Sequence, residues 1–208
     1  MNKLIRYSYK AFKRLAGVIG DAWSHLVCSI LFYLNNVRHK DFKTSGIPYV
    51  HTSLSSRISI GSGFRMHNGL RGNPIGRPQK CVFAADKNAR IIIGKNVGIS
   101  CTVINCQLRI TIGNNVMIGG GTCIYDSDFH QLDPEQRINN QGEIRKKEVR
   151  IGNNVFVGAH SLILKGVHIG DNAIIGAGSV VTKNVPENEI WGGNPARFIT
   201  KVEVNDLV

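Results

Sequence analysis

The sequence contains no Cys-x-x-Cys pair, and its five cysteines (Cys28, Cys81, Cys101, Cys106 and Cys123) are odd in number. Both facts argue against a disulfide framework or a structural zinc site, so the thiols read as reduced and partly buried. Prolines are few, 6 in 208 residues, against 23 glycines. That balance suggests many tight turns inside structured segments. No long unbroken apolar run occurs: the stretch from Leu15 to Leu34 is interrupted by Asp21, Ser24 and His25, and no small-residue cleavage site follows it. A cleavable signal and a spanning helix are both disfavoured, and the expected compartment is the cytoplasm. The 42% apolar content suits one folded core at this length.

Acidic residues are scarce in only one part of the chain. Residues 1–45 carry eight Lys/Arg against two Asp/Glu, residues 46–92 carry seven against one, and residues 93–208 carry eleven of each. The whole excess of +12 therefore lies in the first 92 residues. The C-terminal half lacks the basic face that a nucleic-acid groove requires, so no nucleic-acid partner is expected. The basic first part suits an anionic membrane surface or a phosphorylated substrate.

What the sequence does have is a repeat. From Ile151 an aliphatic residue recurs every six positions, at Val157, Ile163, Ile169, Ile175 and Val181. Four residues after each stands a small or β-branched residue: Val155, Ser161, Val167, Ala173, Ser179 and Val185. The frame appears earlier at Ile93, Ile99, Ile112, Ile118 and Ile124, with one extra residue within 104–111, and residues 55–66 read as a degenerate early coil. A period of six matches neither an α-helix nor a hairpin. It suits a prism whose sides are short strands, three hexapeptides to a coil, with the aliphatics stacked inside. The expected fold is an all-β solenoid, a left-handed parallel β-helix.

Two segments stand outside the frame. Residues 1–40 read as helix, with Phe12, Leu15, Ile19, Trp23, Leu26, Ile30 and Leu34 on one apolar face and Lys3, Arg6, Lys10, Lys13 and Arg14 crowding its start. Such a helix either caps the end of the prism or lies on an anionic membrane. Residues 125–150 are too polar for the prism and read as an extruded loop. The expected organisation is a helical segment at 1–45, a β-helix over 46–191 and a tail at 192–208.

The stretch from Ile151-Gly-Asn-Asn-Val through Ile175-Gly-Ala-Gly-Ser-Val, closed by Gly192-Gly-Asn-Pro-Ala-Arg197, resembles the hexapeptide-repeat acyltransferases over about residues 90–200. The resemblance is nearest to galactoside, maltose and nodulation-factor O-acetyltransferases and to those modifying capsular or O-antigen sugars. It implies acetyl-CoA as co-substrate, a small-molecule or lipid-linked sugar acceptor, and a homotrimer with active sites between neighbouring prisms. It places the catalytic base at His130, in Asp126-Ser-Asp-Phe-His130, where many relatives have Thr-His-Pro and this chain has Phe-His-Gln. For the cofactor it implies backbone contacts at Ala159 and Ala177, a polar contact at Thr182, phosphate contacts at Lys183 and Arg197, and Phe156 where relatives often carry tryptophan. The acceptor-side asparagine of the sugar enzymes has no clean counterpart; Ser100 or Cys101 falls nearby. His160 matches a histidine of some relatives and is expected to face solvent or a neighbouring subunit.

Transfer of an acetyl group to a hydroxyl needs a base, and a neutral imidazole supplies one near neutral pH. Asp126 and Asp128 precede His130 at alternate positions and would share its face in extended chain, where one carboxylate could orient the ring. The same three residues could instead hold a divalent ion, or be ordinary loop residues. No resident metal is expected. Two rivals remain: a γ-type carbonic anhydrase, which uses three histidines and usually a His-x4-His pair absent here, and a non-catalytic scaffold.

Overall fold

The computed structural model describes residues 3–75 and 79–203. Strands of two to four residues, longer only in a final antiparallel hairpin, wind around three otherwise parallel sheets as a left-handed β-helix, each turn of chain adding one strand to each sheet. The first face runs Val37–His39, Arg57–Ile60, Arg90–Ile93, Arg109–Ile112, Val149–Ile151 and His168–Ile169. The second begins at Phe42–Ser45 and Phe64–His67, continues through Gly98–Ser100, Met117–Ile118, Phe156–Val157 and Ile174–Ile175, and ends in the hairpin Glu189–Gly193 and Ala196–Lys201. The third runs Tyr49–Thr52, Val82–Ala85, Val103–Cys106, Cys123–Tyr125, Leu162–Ile163 and Val180–Val181.

Register explains why the aliphatics recur. Ile60, Ile93, Ile112, Ile151 and Ile169 stand directly above one another on the first face. Met66, Ile99, Ile118, Val157 and Ile175 do so on the second, and Phe83, Ile104, Ile124, Ile163 and Val181 on the third. All are buried, each isoleucine contributing roughly 1.5–3 kcal/mol. In the unbroken run the position four residues on, from Val155 to Val185, is buried too, at the corner, where little room remains. Hydroxyls there are satisfied locally: Ser161 Oγ donates to the Gly158 carbonyl at 2.9 Å, and Thr122 Oγ1 to the same carbonyl at 3.2 Å.

The corner between the first and second faces carries a side-chain ladder. Asn96, Asn115, Asn154, Asn172 and Asn188 all adopt left-handed backbone with φ of 56–59°. Each Nδ2 donates to the Oδ1 of the next at 2.9–3.1 Å. Asparagine tolerates this conformation better than most other side chains, which accounts for its recurrence at this turn position.

Two boundaries differ from the expected ones. The helix spans Lys3–Leu34, and the first coil begins at Val37, ahead of the boundary expected at residue 46. That coil escaped the hexapeptide frame because His39 and Thr44 stand in the rows of Ile60 and Met66, while Phe42 is buried in register on Phe64. The loop is also shorter than 125–150: Tyr125 ends a strand and Val149 begins one. The tail's last residues, 204–208, lie outside the described residues.

The helix covers the open end of the prism with its final turns only. Ser24, Cys28 and Phe32 are its buried residues, and Phe32 packs against Phe42 at 5.1 Å and Phe83 at 6.4 Å. A second insertion, residues 68–81, leaves the corner between the second and third faces. Buried Asn68 pins both its ends, donating to the Ser45 and Gly46 carbonyls at 3.2 Å and accepting the Cys81 N–H at 2.7 Å.

Candidate active site

The extruded loop leaves the corner between the third and first faces and is clamped from below and above. Below lies the turn with the extra residue. The buried carboxylate of Asp126 accepts the N–H of Gln107 at 2.7 Å and those of Leu108 and Arg109 at 2.8 Å. Three converging N–H dipoles make an anion nest, and a short carboxylate fills it. The Cys106 thiol also points at this carboxylate, 3.2 Å away, and burial together with that charge pushes the thiol well above its ordinary range. Above lies the next coil, where Lys165 Nζ sits 2.6 Å from Asp128 Oδ1 and the Gly166 N–H donates to the Lys147 carbonyl. The two loop ends pair through Asp128 N–H to Arg145 O and Lys147 N–H to Asp126 O.

The extended run expected for Asp126, Asp128 and His130 breaks at Phe129, whose backbone is left-handed with φ of 62°. Its ring packs edge-on against Tyr125, centroids 5.1 Å apart. The three side chains therefore do not share a face. Asp126 is buried in its nest, Asp128 is half-buried against Lys165, and His130 is exposed with no hydrogen bond to the described residues. The second carboxylate oxygen of Asp128 is buried without a partner. Among the described residues, no three His, Cys, Asp or Glu side chains gather as metal ligands would.

The expected cofactor residues fall at four places. Ala159 and Ala177 stack one coil apart at the corner between second and third faces, joined by Gly178 N–H to Ala159 O at 2.8 Å. Neither alanine N–H is used in a hydrogen bond among the described residues. Thr182 and Lys183 are exposed one corner further round, and Arg197 is exposed on the final hairpin strand. Phe156 stands on the second face, 42% exposed. One chain by itself thus spreads these residues over different sides. At the same corner as Ala159, His160 is exposed, with φ of 60° and its ring over Gly121. A Cβ on Gly121 would stand 2.6 Å from His160 Nδ1.

Sequence reasoning missed a groove of about 320 Å³ on the second face, lined by Arg65, His67, Ser100, Met117 and Phe156 among others. Arg65, Gly98, Met117 and Phe156 form one outward row in register. Gly98 has no left-handed φ, and a Cβ built on it meets nothing within 4 Å. The glycine is therefore demanded neither by backbone strain nor by crowding; its missing side chain opens the floor between Arg65 and Met117. The second face lies opposite the corner from which the His130 loop departs. Groove and imidazole of one chain consequently face different directions.

A family profile described as "Hexapeptide repeat of succinyl-transferase" matches residues 148–183. Protein CapG of Staphylococcus aureus is 45% identical over 128 residues, 53% of this chain and 68% of the relative. A solved galactoside acetyltransferase in complex with coenzyme A superimposes with a TM-score of 0.53 at 28% identity, covering 80% of this chain and 64% of the other. The mitochondrial gamma carbonic anhydrase 2 of Arabidopsis thaliana is 31% identical over 149 residues, 62% of this chain and 51% of the relative. These matches span between 51% and 68% of the other proteins' own length.

Proposed function

Because the chain belongs to the hexapeptide-repeat acyltransferases, built on the left-handed parallel β-helix, we propose that it moves an acetyl group from acetyl-CoA to a sugar hydroxyl in surface-polysaccharide biosynthesis on the cytoplasmic side. The observation that carries this reading is the groove opened by Gly98. It brings Ser100, near the acceptor-side position of the sugar enzymes, and Phe156, at the cofactor-arm position, into one cleft.

In this reading the groove of one copy receives His130 from its neighbour in a trimer, since the two lie on opposite sides of the same prism. His130 takes the proton of the sugar hydroxyl as it attacks the thioester carbonyl, then returns it to the departing thiolate. The exposed imidazole is carried on a loop whose base is clamped by Asp126 and by the Asp128–Lys165 pair, so an exposed loop presents its base from a rigid root. The unused N–H groups at Ala159 and Ala177 are donors of the kind a carbonyl gathering negative charge requires. Lys183 and Arg197 offer cations for the CoA phosphates in a half of the chain that has no net charge.

The test is a thiol-release assay with acetyl-CoA and a panel of sugars and sugar nucleotides, run on the wild type and on Gly98→Leu. The leucine fits open space and should leave the melting temperature unchanged, while kcat/KM falls at least ~50-fold because the cleft is filled. Full activity in that variant would remove the groove from the reaction. Absence of thiol release with every acceptor would favour a scaffold.

A further inference from the structure

The N-terminal helix has far more apolar surface than the prism covers. Phe12, Leu15, Ile19, Trp23, Leu26 and Ile30 are 51–69% exposed. At 3.6 residues per turn these six fall within an arc of about 80°, forming one stripe along a helix about 48 Å long. The side that rests on the prism, marked by Ser24, Cys28 and Phe32, is opposite that stripe. Where the helix runs on beyond the prism, the same opposite side carries Lys3, Arg6, Lys10, Lys13 and Arg14. No acidic residue occurs in the helix before Asp21.

We infer that this helix lies flat on an anionic lipid bilayer, its apolar stripe in the acyl boundary and its cations among the headgroups. The inference stands apart from the acetyl-transfer reading. Two observations choose this occupant. The prism and the cations share one side, so the stripe can enter the interface while the folded domain stays in water. The five cations have no acidic neighbours on their stretch of helix, and a surface of anionic headgroups supplies the missing charge at about fivefold in partitioning per cation. A second copy of the chain would bring five more cations instead. The helix is long and apolar enough to cross a membrane by length and composition. Crossing, however, would draw Asp21 into hydrocarbon and pull Cys28 and Phe32 off the prism, where they are now buried.

The full chain is mixed with sedimentable vesicles of phosphatidylcholine alone or of phosphatidylcholine and phosphatidylglycerol in equal parts. It should pellet with the anionic vesicles only, and lose at least tenfold in partitioning between about 0.05 and 0.5 M NaCl. Replacing the five cations by glutamine should lower partitioning at least ~100-fold, and L15S/I19S at least ~10-fold, with melting temperatures unchanged because all seven side chains are exposed. Trp23 emission should shift to the blue on binding, a change absent from W23F. Protein left in the supernatant with anionic vesicles at low salt would overturn the inference. So would L15S/I19S lowering the oligomeric mass in light scattering without any vesicle binding, which assigns the stripe to a second copy. A membrane fraction resisting alkaline carbonate extraction from cells would make the helix a span instead.

Discussion

Arg109 donates its backbone N–H to the buried Oδ2 of Asp126 at 2.8 Å, which ties the root of the extruded loop to the turn where the hexapeptide frame slips. In Asp126→Asn one acceptor oxygen remains while an NH₂ group is turned toward N–H donors. A loss of about 2–4 kcal/mol is expected, because buried donors lose a charged partner. Urea unfolding of the two proteins measures it; a change below about 0.5 kcal/mol would mean the nest is held by other contacts.

In the proposed reaction His130→Ala should lower turnover about 10²–10⁴-fold and leave CoA affinity unchanged, since as a base the exposed ring would contribute a proton acceptor rather than binding area. Steady-state kinetics with calorimetric CoA titration separates the two. Lys183→Ala and Arg197→Ala should do the reverse, raising KM for acetyl-CoA with kcat nearly kept. Near-wild-type turnover in His130→Ala would end its assignment as base.

Asn154 sits in the middle of the side-chain ladder, accepting from Asn115 at 3.1 Å and donating to Asn172 at 2.9 Å with φ of 57°. Asn154→Gly keeps the backbone and removes the ladder bonds, at about 1 kcal/mol. Asn154→Ala adds the left-handed penalty, for about 2–3 kcal/mol in all. Equal melting temperatures for the two variants would show that the turn relaxes to another conformation.

Burial pushes the Cys28 thiol up to about 11 and the Cys81 thiol up to about 12, from an ordinary value of 9.0. The folded state holds these groups protonated where the unfolded chain would ionise them. Their contribution to stability is therefore complete below pH 9 and is lost as pH rises through 11 to 12. Melting temperatures should fall over that window. At pH 8 a thiol alkylating reagent followed by peptide mass spectrometry should mark the half-exposed Cys123 first, with Cys28 reacting only when the helix leaves the prism.

Much of this molecule was legible before any coordinates. A side chain repeating every six residues with small partners four later can be buried only if the chain turns a corner between them. Ile151, Val157, Ile163 and their successors do stack in the core. The extruded loop was legible because Asp, Glu, Arg and Asn could not enter a prism lined by isoleucine. The first coil and the 68–81 insertion were not, since His39 and Thr44 stand where the aliphatic signal belongs and Asn68 looks like any polar turn residue. The even spacing of Asp126, Asp128 and His130 suggested a shared face, and one left-handed residue at Phe129 undid it.

Local order along the chain determined the period, the corner residues and the place of the polar excursion, because each depends on neighbours within six positions. Only the wound structure decided which carboxylate is used up in a turn, which glycine opens a groove and which side of the helix remains bare. The first two depend on residues about seventeen or more apart in sequence that coil closure brings together, such as Arg65, Gly98 and Met117, and the third on how Phe32 packs against Phe42 and Phe83.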